Sequence, residues 1–253
     1  MSETEDKLAK SLSAQTAELN PYLPYLLQDL WELGGLPEDV LTLLQPYGCE
    51  HKQMKVLDLA CGKGAVSIRL AKELSCHVKG VDIMPEFVAA ARENAAKHGV
   101  QAICEFETGD IGTAVEKERG YDAVLFIAVG DVLGDPLATL LKLRQTVGRG
   151  GLIVIDDAYA PEGSDSGCYP LGDWLHAFYD AGVAVLGELK PDEKTLEKVN
   201  QYNQSHIELR AEELKRMHPE LSHIFDEYVS SQLEECDRLS SELTGVTWLL
   251  GVS

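Results

Sequence analysis

Between residues 54 and 155 the sequence alternates short apolar runs with segments whose apolar residues recur at helical spacing. Val66, Leu70 and Leu74, for example, lie on one face of a predicted helix. This alternation predicts βαβ units and a parallel sheet, and strands that are apolar throughout require helices on both faces. The predicted strands are residues 54–60, 77–82, 102–107, 121–129 and 152–155, and the predicted helices are residues 65–74, 85–98 and 136–147.

Further segments flank this alternation on both sides. Residues 1–50 are leucine-rich and interrupted by proline and glycine, which predicts a cap of short helices. A helix over 171–181 and a sixth strand over 183–189 precede a charged stretch with helical periodicity and a final strand at 246–252. The predicted domains are the N-terminal cap at 1–50, an α/β core at 51–190, a helical insertion at 191–243 and the last core strand at 244–253, which completes a mostly parallel seven-stranded sheet.

The composition limits the partners that such a chain is expected to have. The 253 residues carry a net charge of −20, and the longest basic patch is the Lys215–Arg216 pair, so a nucleic-acid partner is not expected. No apolar run approaches the roughly 20 residues that span a bilayer, so no membrane partner is expected. The start of the chain lacks a secretory pattern, and the six cysteines form no Cys-x-x-Cys pair. We therefore expect free thiols in a reducing cytoplasm.

Glycine and aspartate residues mark the points where the predicted strands end. Asp58 begins the turn Asp-Leu-Ala-Cys-Gly-Lys-Gly, which ends at Gly64 immediately before a predicted helix. Two glycines let the backbone approach a ligand closely at the start of a helix. Asp82, Asp110 and Asp131 follow the next three strands. The carboxyl ends of parallel strands share one edge, where ligands bind at the reversal of strand order.

Two classes of nucleotide cofactor are compatible with the glycine turn alone. A nicotinamide-binding fingerprint requires a third glycine where this chain has Ser67. The run Val56-Leu-Asp-Leu-Ala-Cys-Gly-Lys-Gly64 instead resembles the first motif of class I S-adenosylmethionine-dependent methyltransferases. Val81-Asp-Ile-Met-Pro85, Thr108-Gly-Asp-Ile111 and Arg149-Gly-Gly-Leu-Ile-Val-Ile155 are similar to the later motifs, in order and spacing. The resemblance covers about residues 50–190 and the last strand, is closest to the small-molecule branch, and implies a Rossmann-like sheet.

The resemblance also implies a cofactor site assembled from four strand ends. In such a site the turn glycines pass under the methionine half, Asp58 faces its amino group, and Asp82 holds both ribose hydroxyls. Residues after the second and third strands pack on the adenine or accept from its amino group, and those after the fourth border the methionine. The implied cofactor-binding residues are Asp58, Ala60, Gly62, Gly64, Asp82, Ile83, Met84, Asp110, Ile111, Ile127 and Ala128.

The acceptor side is less clearly marked in the sequence. The Asn/Asp-Pro-Pro-Tyr/Phe motif of enzymes that methylate amide or ring nitrogens is absent after the fourth strand, where Asp131 is a candidate to face the substrate. Asp156 and Asp157, with Asp131, resemble the metal carboxylates of catechol-type O-methyltransferases, but acidic residues are common after this strand, and no metal ligand is assigned. His206 lies on one helix face with Tyr202 and Arg210, four residues away on either side.

Strand direction predicts where the insertion emerges. A sixth strand parallel to its neighbours, followed by an antiparallel last strand, would place residues 191–243 beside the ligand edge as a lid over the substrate. We therefore expect an enzyme that transfers a methyl group from S-adenosylmethionine to a small molecule by in-line displacement, with Asp131 and His206 as candidate catalytic residues. The alternatives are a non-catalytic S-adenosylmethionine-binding regulator and a nicotinamide-dependent oxidoreductase.

Overall fold

The structure is a computed structural model that describes residues 12–48, 54–164 and 166–253. The chain divides into two compact units: a smaller one containing the segment up to Leu30 with Pro191–Thr244, and a larger one containing Trp31–Lys190 with Gly245–Ser253. The first eleven residues of the predicted cap, and its predicted boundary at residue 50, lie outside the described residues. Residues 31–48, which the sequence analysis assigned to the cap, belong to the larger unit, and the domain limits drawn from the sequence stay a prediction.

The larger unit contains a seven-stranded sheet with the strand order β3-β2-β1-β4-β5-β7-β6, so the α/β, Rossmann-like fold predicted from the sequence is confirmed. Strands β1 to β5 pair in parallel, and the order reverses between β1 and β4. The strands are β1 Lys55–Leu59, β2 His77–Asp82, β3 Cys104–Thr108, β4 Tyr121–Ile127, β5 Val147–Tyr159, β6 Val183–Leu189 and β7 Thr244–Val252.

Helices cover both faces of the sheet, as the uniformly apolar strands require. One buried cluster contains Leu57, Val124 and Ile153, and the other contains Val56, Leu125 and Val154, so successive strand residues serve opposite faces. The helices of this unit are α1 Pro37–Leu44, α2 Ala65–Leu74, α3 Pro85–Lys97, α4 Ile111–Lys117, α5 Pro136–Thr146 and α6 Leu171–Asp180.

Three local predictions differ from the structure. Helix α4 was not predicted, because its seven residues are too few to show a helical period, although Asp110 caps it by accepting from the Thr113 amide at 2.8 Å. Strand β5 begins earlier than predicted, at Val147, because Tyr121 pairs with that residue ahead of a register shift. The last strand, β7, runs antiparallel to β6, as predicted, but it lies between β5 and β6, so β6 has no parallel strand as its neighbour.

The smaller unit is helical. Helices α7 Glu193–Met217 and α8 Ser222–Ser241 contact each other and two short helical segments at Ala17–Tyr22 and Leu23–Leu26. The Arg210 guanidinium lies 2.5 Å from the carboxylate of Asp29 and 2.7 Å from that of Glu213, and the Tyr25 hydroxyl donates to Glu213 at 2.8 Å. Pro219 begins a short 3₁₀ turn, Pro219–Leu221, which precedes α8. None of the helices among the described residues is long and apolar enough to cross a membrane.

Gly80 provides a test of packing in the centre of the larger unit. A methyl group on its Cα would lie 2.6 Å from the Phe106 ring and 2.8 Å from Cys61 Sγ, both buried. We expect Gly80→Ala to lower the free energy of unfolding by about 1–3 kcal/mol, because the closely packed neighbours must shift. The matched control is Gly148→Ala, where the added methyl meets no atom within 4 Å. Equal denaturation midpoints for Gly80→Ala and the wild type would contradict this packing.

Candidate functional site

The candidate site lies where the strand order reverses, at the carboxyl ends of β1 and β4. These strands pair in register up to Leu59 and Phe126, and each is followed shortly by an alanine in a left-handed conformation. The φ angle is 58° at Ala60 and 53° at Ala128. Backbone of this kind costs free energy for a residue other than glycine and is typical of sites where the chain shape serves a ligand.

The glycine turn after β1 has the conformation that its sequence predicts. Gly62 and Gly64 have φ angles of 53° and 77°, and the Gly64 amide donates to the Cys61 carbonyl at 2.9 Å. A methyl group at Gly64 would lie 3.0 Å from the Phe106 ring, so packing adds to the conformational requirement. Helix α2 begins at the next residue, which directs the amides of its first turn towards the same edge of the sheet.

Asp58 is a buried carboxylate beneath this turn. Its side chain is 3% exposed, and it accepts a hydrogen bond from the Ser67 hydroxyl at 2.5 Å. Burial raises the pKa of Asp58 to about 7; the Ser67 hydrogen bond opposes this rise, and the nearby Asp82 carboxylate adds to it. A cationic group bound beside Asp58 would favour the ionised form of this desolvated acid, and the resulting ion pair would stabilise the cation. In the sequence, Ser67 stands out only because a nicotinamide-binding fingerprint requires a glycine at that position. Its hydrogen bond to Asp58 emerges only from the structure.

Asp82 joins the end of β2 to the glycine turn. One carboxylate oxygen accepts from the Gly62 amide at 2.8 Å, and the other accepts from the Met84 amide at 2.9 Å. Burial raises the pKa of Asp82, and the backbone amides of Met84, Gly62 and Ile83 counter part of that effect. Because each carboxylate oxygen can accept two hydrogen bonds, the carboxylate retains capacity for a hydroxyl donor.

The remaining predicted cofactor residues follow β2, β3 and β4. Met84 is 5% exposed and precedes the first residue of α3, and Ile111 is 6% exposed in the first turn of α4. Asp110 is exposed and caps α4, so the structure accounts for this aspartate by a helix end. Ile127 pairs with Asp156 of β5, and the Ala128 amide donates to the Asp156 carbonyl at 3.0 Å.

The two candidate catalytic residues lie in different units. Asp131 is exposed in the short helical turn Gly130–Leu133 of the larger unit. His206 is on α7 of the smaller unit, with its ring 4.1 Å from the Tyr202 ring and its Nδ1 2.8 Å from the Tyr202 carbonyl oxygen. Because a carbonyl oxygen only accepts, this contact places a proton on Nδ1 and leaves Nε2 as the basic nitrogen of the neutral ring.

Two aspartates, Asp156 and Asp157, lie near the carboxyl end of β5 at this edge of the sheet. Burial raises the pKa of Asp156 to about 7, with the Thr247 hydroxyl lowering it and Asp157 raising it. Burial also raises the pKa of Asp157 to about 6, and Asp131 contributes to that rise. Thr247, on β7, was not singled out in the sequence, because its contact with Asp156 joins strands 91 residues apart. Among the described residues, no group of three or more His, Cys, Asp or Glu side chains is arranged to hold a metal ion.

Comparison with protein families identifies the family to which the chain belongs. A family model described as a methyltransferase domain matches residues 50–227, which is more than half of the chain. The chain therefore belongs to the methyltransferase domain family, and the family predicted from its motifs is confirmed. The nicotinamide-dependent alternative has no support from this match.

Individual relatives differ in the acceptors that their names describe. The chain is 29% identical over 131 residues to ajmaline N-methyltransferase of Rauvolfia serpentina, covering 49% of this chain and 45% of that protein. It is 42% identical over 85 residues to ribosomal protein L11 methyltransferase of Dechloromonas aromatica, covering 34% of this chain and 25% of that protein. The chain thus spans less than half the length of these curated relatives. A methyltransferase from Geobacter sulfurreducens, solved with S-adenosyl-L-homocysteine, has the same fold, with a TM-score of 0.75, 19% identity and coverage of 91% of this chain and 97% of that one.

The raised pKa of Asp156 predicts a stability that falls as the pH rises. The folded-state pKa is about 7 and the ordinary value is 3.8, so between these limits the folded state keeps a proton that the unfolded chain has released. The free energy of unfolding should fall by roughly 1.4 kcal/mol per pH unit for such a group and level off above pH 7. Asp156→Asn should remove this contribution, as measured by urea denaturation from pH 5 to pH 8.

Thr247→Val is the matched control for this experiment. It keeps the Asp156 carboxyl but removes the hydroxyl that lowers its pKa, so the pH dependence should persist and extend to higher pH. Identical slopes for the wild type and Asp156→Asn would contradict the assignment.

Proposed function

We propose that this protein transfers the methyl group of S-adenosylmethionine to a small-molecule acceptor. The observation that carries the proposal is the pair of buried carboxylates, Asp58 and Asp82, at adjacent strand ends beside the glycine turn and the strand-order reversal. The fold neighbour from Geobacter sulfurreducens, which was solved with the demethylated form of that donor, supports the choice of cofactor. The free thiols of the described cysteines are compatible with a reducing cytoplasm, the location that we propose.

The carboxylates at the site are complementary to the charged and hydrogen-bonding groups of the donor. S-adenosylmethionine carries an ammonium group and a sulfonium centre, and the ribose presents two hydroxyl donors. We assign the ammonium group to Asp58, whose raised pKa reflects a desolvated acid that gains stability from a cation. We assign the ribose hydroxyls to Asp82, and the adenine to Ile83, Met84, Asp110 and Ile111, with Ala60, Gly62, Gly64, Ile127 and Ala128 along the methionine half.

The chain contributes alignment and exclusion of water more than covalent chemistry. The donor, when bound, supplies an activated methyl group that an acceptor lone pair attacks as the bond to sulfur breaks, leaving S-adenosylhomocysteine. The strand ends fix the donor so that the acceptor approaches in line with the breaking bond. When the acceptor atom carries a proton, a base must remove it, and the lone pair of His206 Nε2 and the Asp131 carboxylate are the groups that we assign to this role.

The acceptor is proposed to be a small molecule of neutral or cationic charge. The net charge of −20 and the carboxylates of Asp131, Asp156 and Asp157 at the edge of the sheet disfavour an anionic acceptor. The ajmaline relative acts, by its name, on a small molecule, whereas the ribosomal protein L11 relative acts, by its name, on a protein. We further propose that helices α7 and α8 serve as the lid over the acceptor that the sequence analysis predicts.

Donor binding is the first test of this function. S-adenosylhomocysteine should raise the melting temperature, because a ligand of the native state stabilises it. Asp82→Ala should lose most of that rise relative to its own melting temperature without ligand, whereas Glu116→Ala, on the exposed side of α4, should keep it. A full rise with Asp82→Ala would exclude the ribose assignment, and no rise with the wild type would exclude the donor.

Turnover is the second test, and it separates an enzyme from a protein that only binds the donor. Purified protein with methyl-labelled donor should label a compound in a small-molecule extract and leave ribosomal proteins unlabelled. Once the acceptor is identified, His206→Gln should lower kcat by about 10²-fold or more, because a positioned base contributes about that much. His223→Gln, at an exposed position of α8, should keep the wild-type rate, and Asp131→Asn tests the second candidate in the same way.

Labelling of a ribosomal protein would contradict the small-molecule proposal and would indicate a protein acceptor instead. Donor binding with no labelled product in either fraction would favour the regulatory alternative.

A further inference from the structure

A short segment before α1 lies along the same edge of the sheet as the candidate donor site. This covering segment consists of residues 31–35, Trp-Glu-Leu-Gly-Gly. Sequence analysis treated its glycines as breaks between cap helices. In the structure the segment belongs to the larger unit, and its contacts reach the ends of three strands.

The contacts of the covering segment show how closely it approaches those strand ends. A methyl group at Gly62, after β1, would lie 3.3 Å from Leu33 Cδ1. A methyl group at Gly34 would lie 2.5 Å from Ala128 Cβ, after β4. One at Gly35 would lie 2.5 Å from Ile127 Cγ2 and 2.9 Å from the carboxyl carbon of Asp156. Only glycine permits this approach, so the paired glycines have a role in packing beyond that of a turn.

The two ends of the covering segment are held in different ways. Helix α1, which follows it, is fixed in the core by Val40 and Leu44, both 0% exposed. At the other end, Trp31 is 36% exposed; its Nε1 donates to the Lys63 carbonyl at 3.2 Å, and its ring stacks on His98 with centroids 4.9 Å apart. Trp31 is therefore held by one hydrogen bond and one ring contact at the surface, whereas α1 is held by buried side chains.

We propose that residues 31–35 complete the donor site as a hinged cover over the methionine half of S-adenosylmethionine. The proposal rests on the proposed function, because three of the residues that the segment contacts, Gly62, Ile127 and Ala128, are assigned to that half of the donor. The cover opens when Trp31 leaves the Lys63 carbonyl, with α1 as the fixed side of the hinge. It closes on the bound donor and excludes water from the sulfonium centre.

The arrangement makes Trp31 both the latch of the cover and a reporter of its position. Trp174 and Trp248 are 4% and 1% exposed and contact each other in the core, so a change in tryptophan emission on donor binding is expected to come from Trp31. Trp31→Phe removes the hydrogen bond to Lys63 and changes an exposed side chain, so the variant is expected to stay folded.

The experiment measures binding of S-adenosylhomocysteine by calorimetry and by stopped-flow fluorescence. We expect the emission change in the wild type to disappear in Trp31→Phe, and the dissociation constant of that variant, measured by calorimetry, to rise at least fivefold because its cover no longer latches. Gly35→Ala should weaken binding at least tenfold, because its methyl group displaces the segment from Ile127 and Asp156. Gly148→Ala, whose added methyl meets no atom within 4 Å, is the matched glycine control and should bind like the wild type.

The outcomes separate this proposal from the proposed function. Binding to the wild type, with unchanged affinity of both Trp31→Phe and Gly35→Ala, would overturn the cover and leave the function standing. If Gly35→Ala does not fold, the affinity of Trp31→Phe measured by calorimetry decides the question alone. No heat of binding with the wild type would overturn both proposals.

Discussion

The arrangement of the whole edge depends on the hydrogen bonds that Asp82 accepts. One oxygen binds the Gly62 amide and the other binds the Met84 amide, so a single carboxylate fixes the glycine turn after β1 and the start of α3 after β2. The turn could otherwise rotate, because its glycines allow many conformations. With Asp82 in place, two strand ends keep a constant separation, which a ligand that spans them requires.

That same geometry brings buried acids close together at an energetic cost. Asp58 and Asp82 each lie in a desolvated environment, and the pKa of each is raised above its ordinary value. Burial of an acid without a cation reduces stability near neutral pH. A cationic donor would offset that cost on binding. The stability that the free protein lacks would then be regained as binding free energy.

The sequence predicted the strands and the glycine turn well, because these follow from local residue patterns. It missed α4, whose seven residues are too few to show a helical period, and it did not place the final strand between β5 and β6, because that position depends on long-range pairing. The assignment of His206 as a base came from helical spacing. Only the contact of its Nδ1 with the Tyr202 carbonyl identified which ring nitrogen can accept a proton.

The sequence by itself determined the family, the order of strands and helices along the chain, and the acidic residues that follow the strands. The tertiary structure alone decided which distant residues meet: Ser67 with Asp58, Thr247 with Asp156, and Trp31 with Lys63. The physical reason is that local periodicity sets secondary structure, whereas contacts between remote segments depend on strand order and close packing. Gly34 and Gly35 illustrate the difference, since they resemble an ordinary turn until the ends of β4 and β5 lie against them.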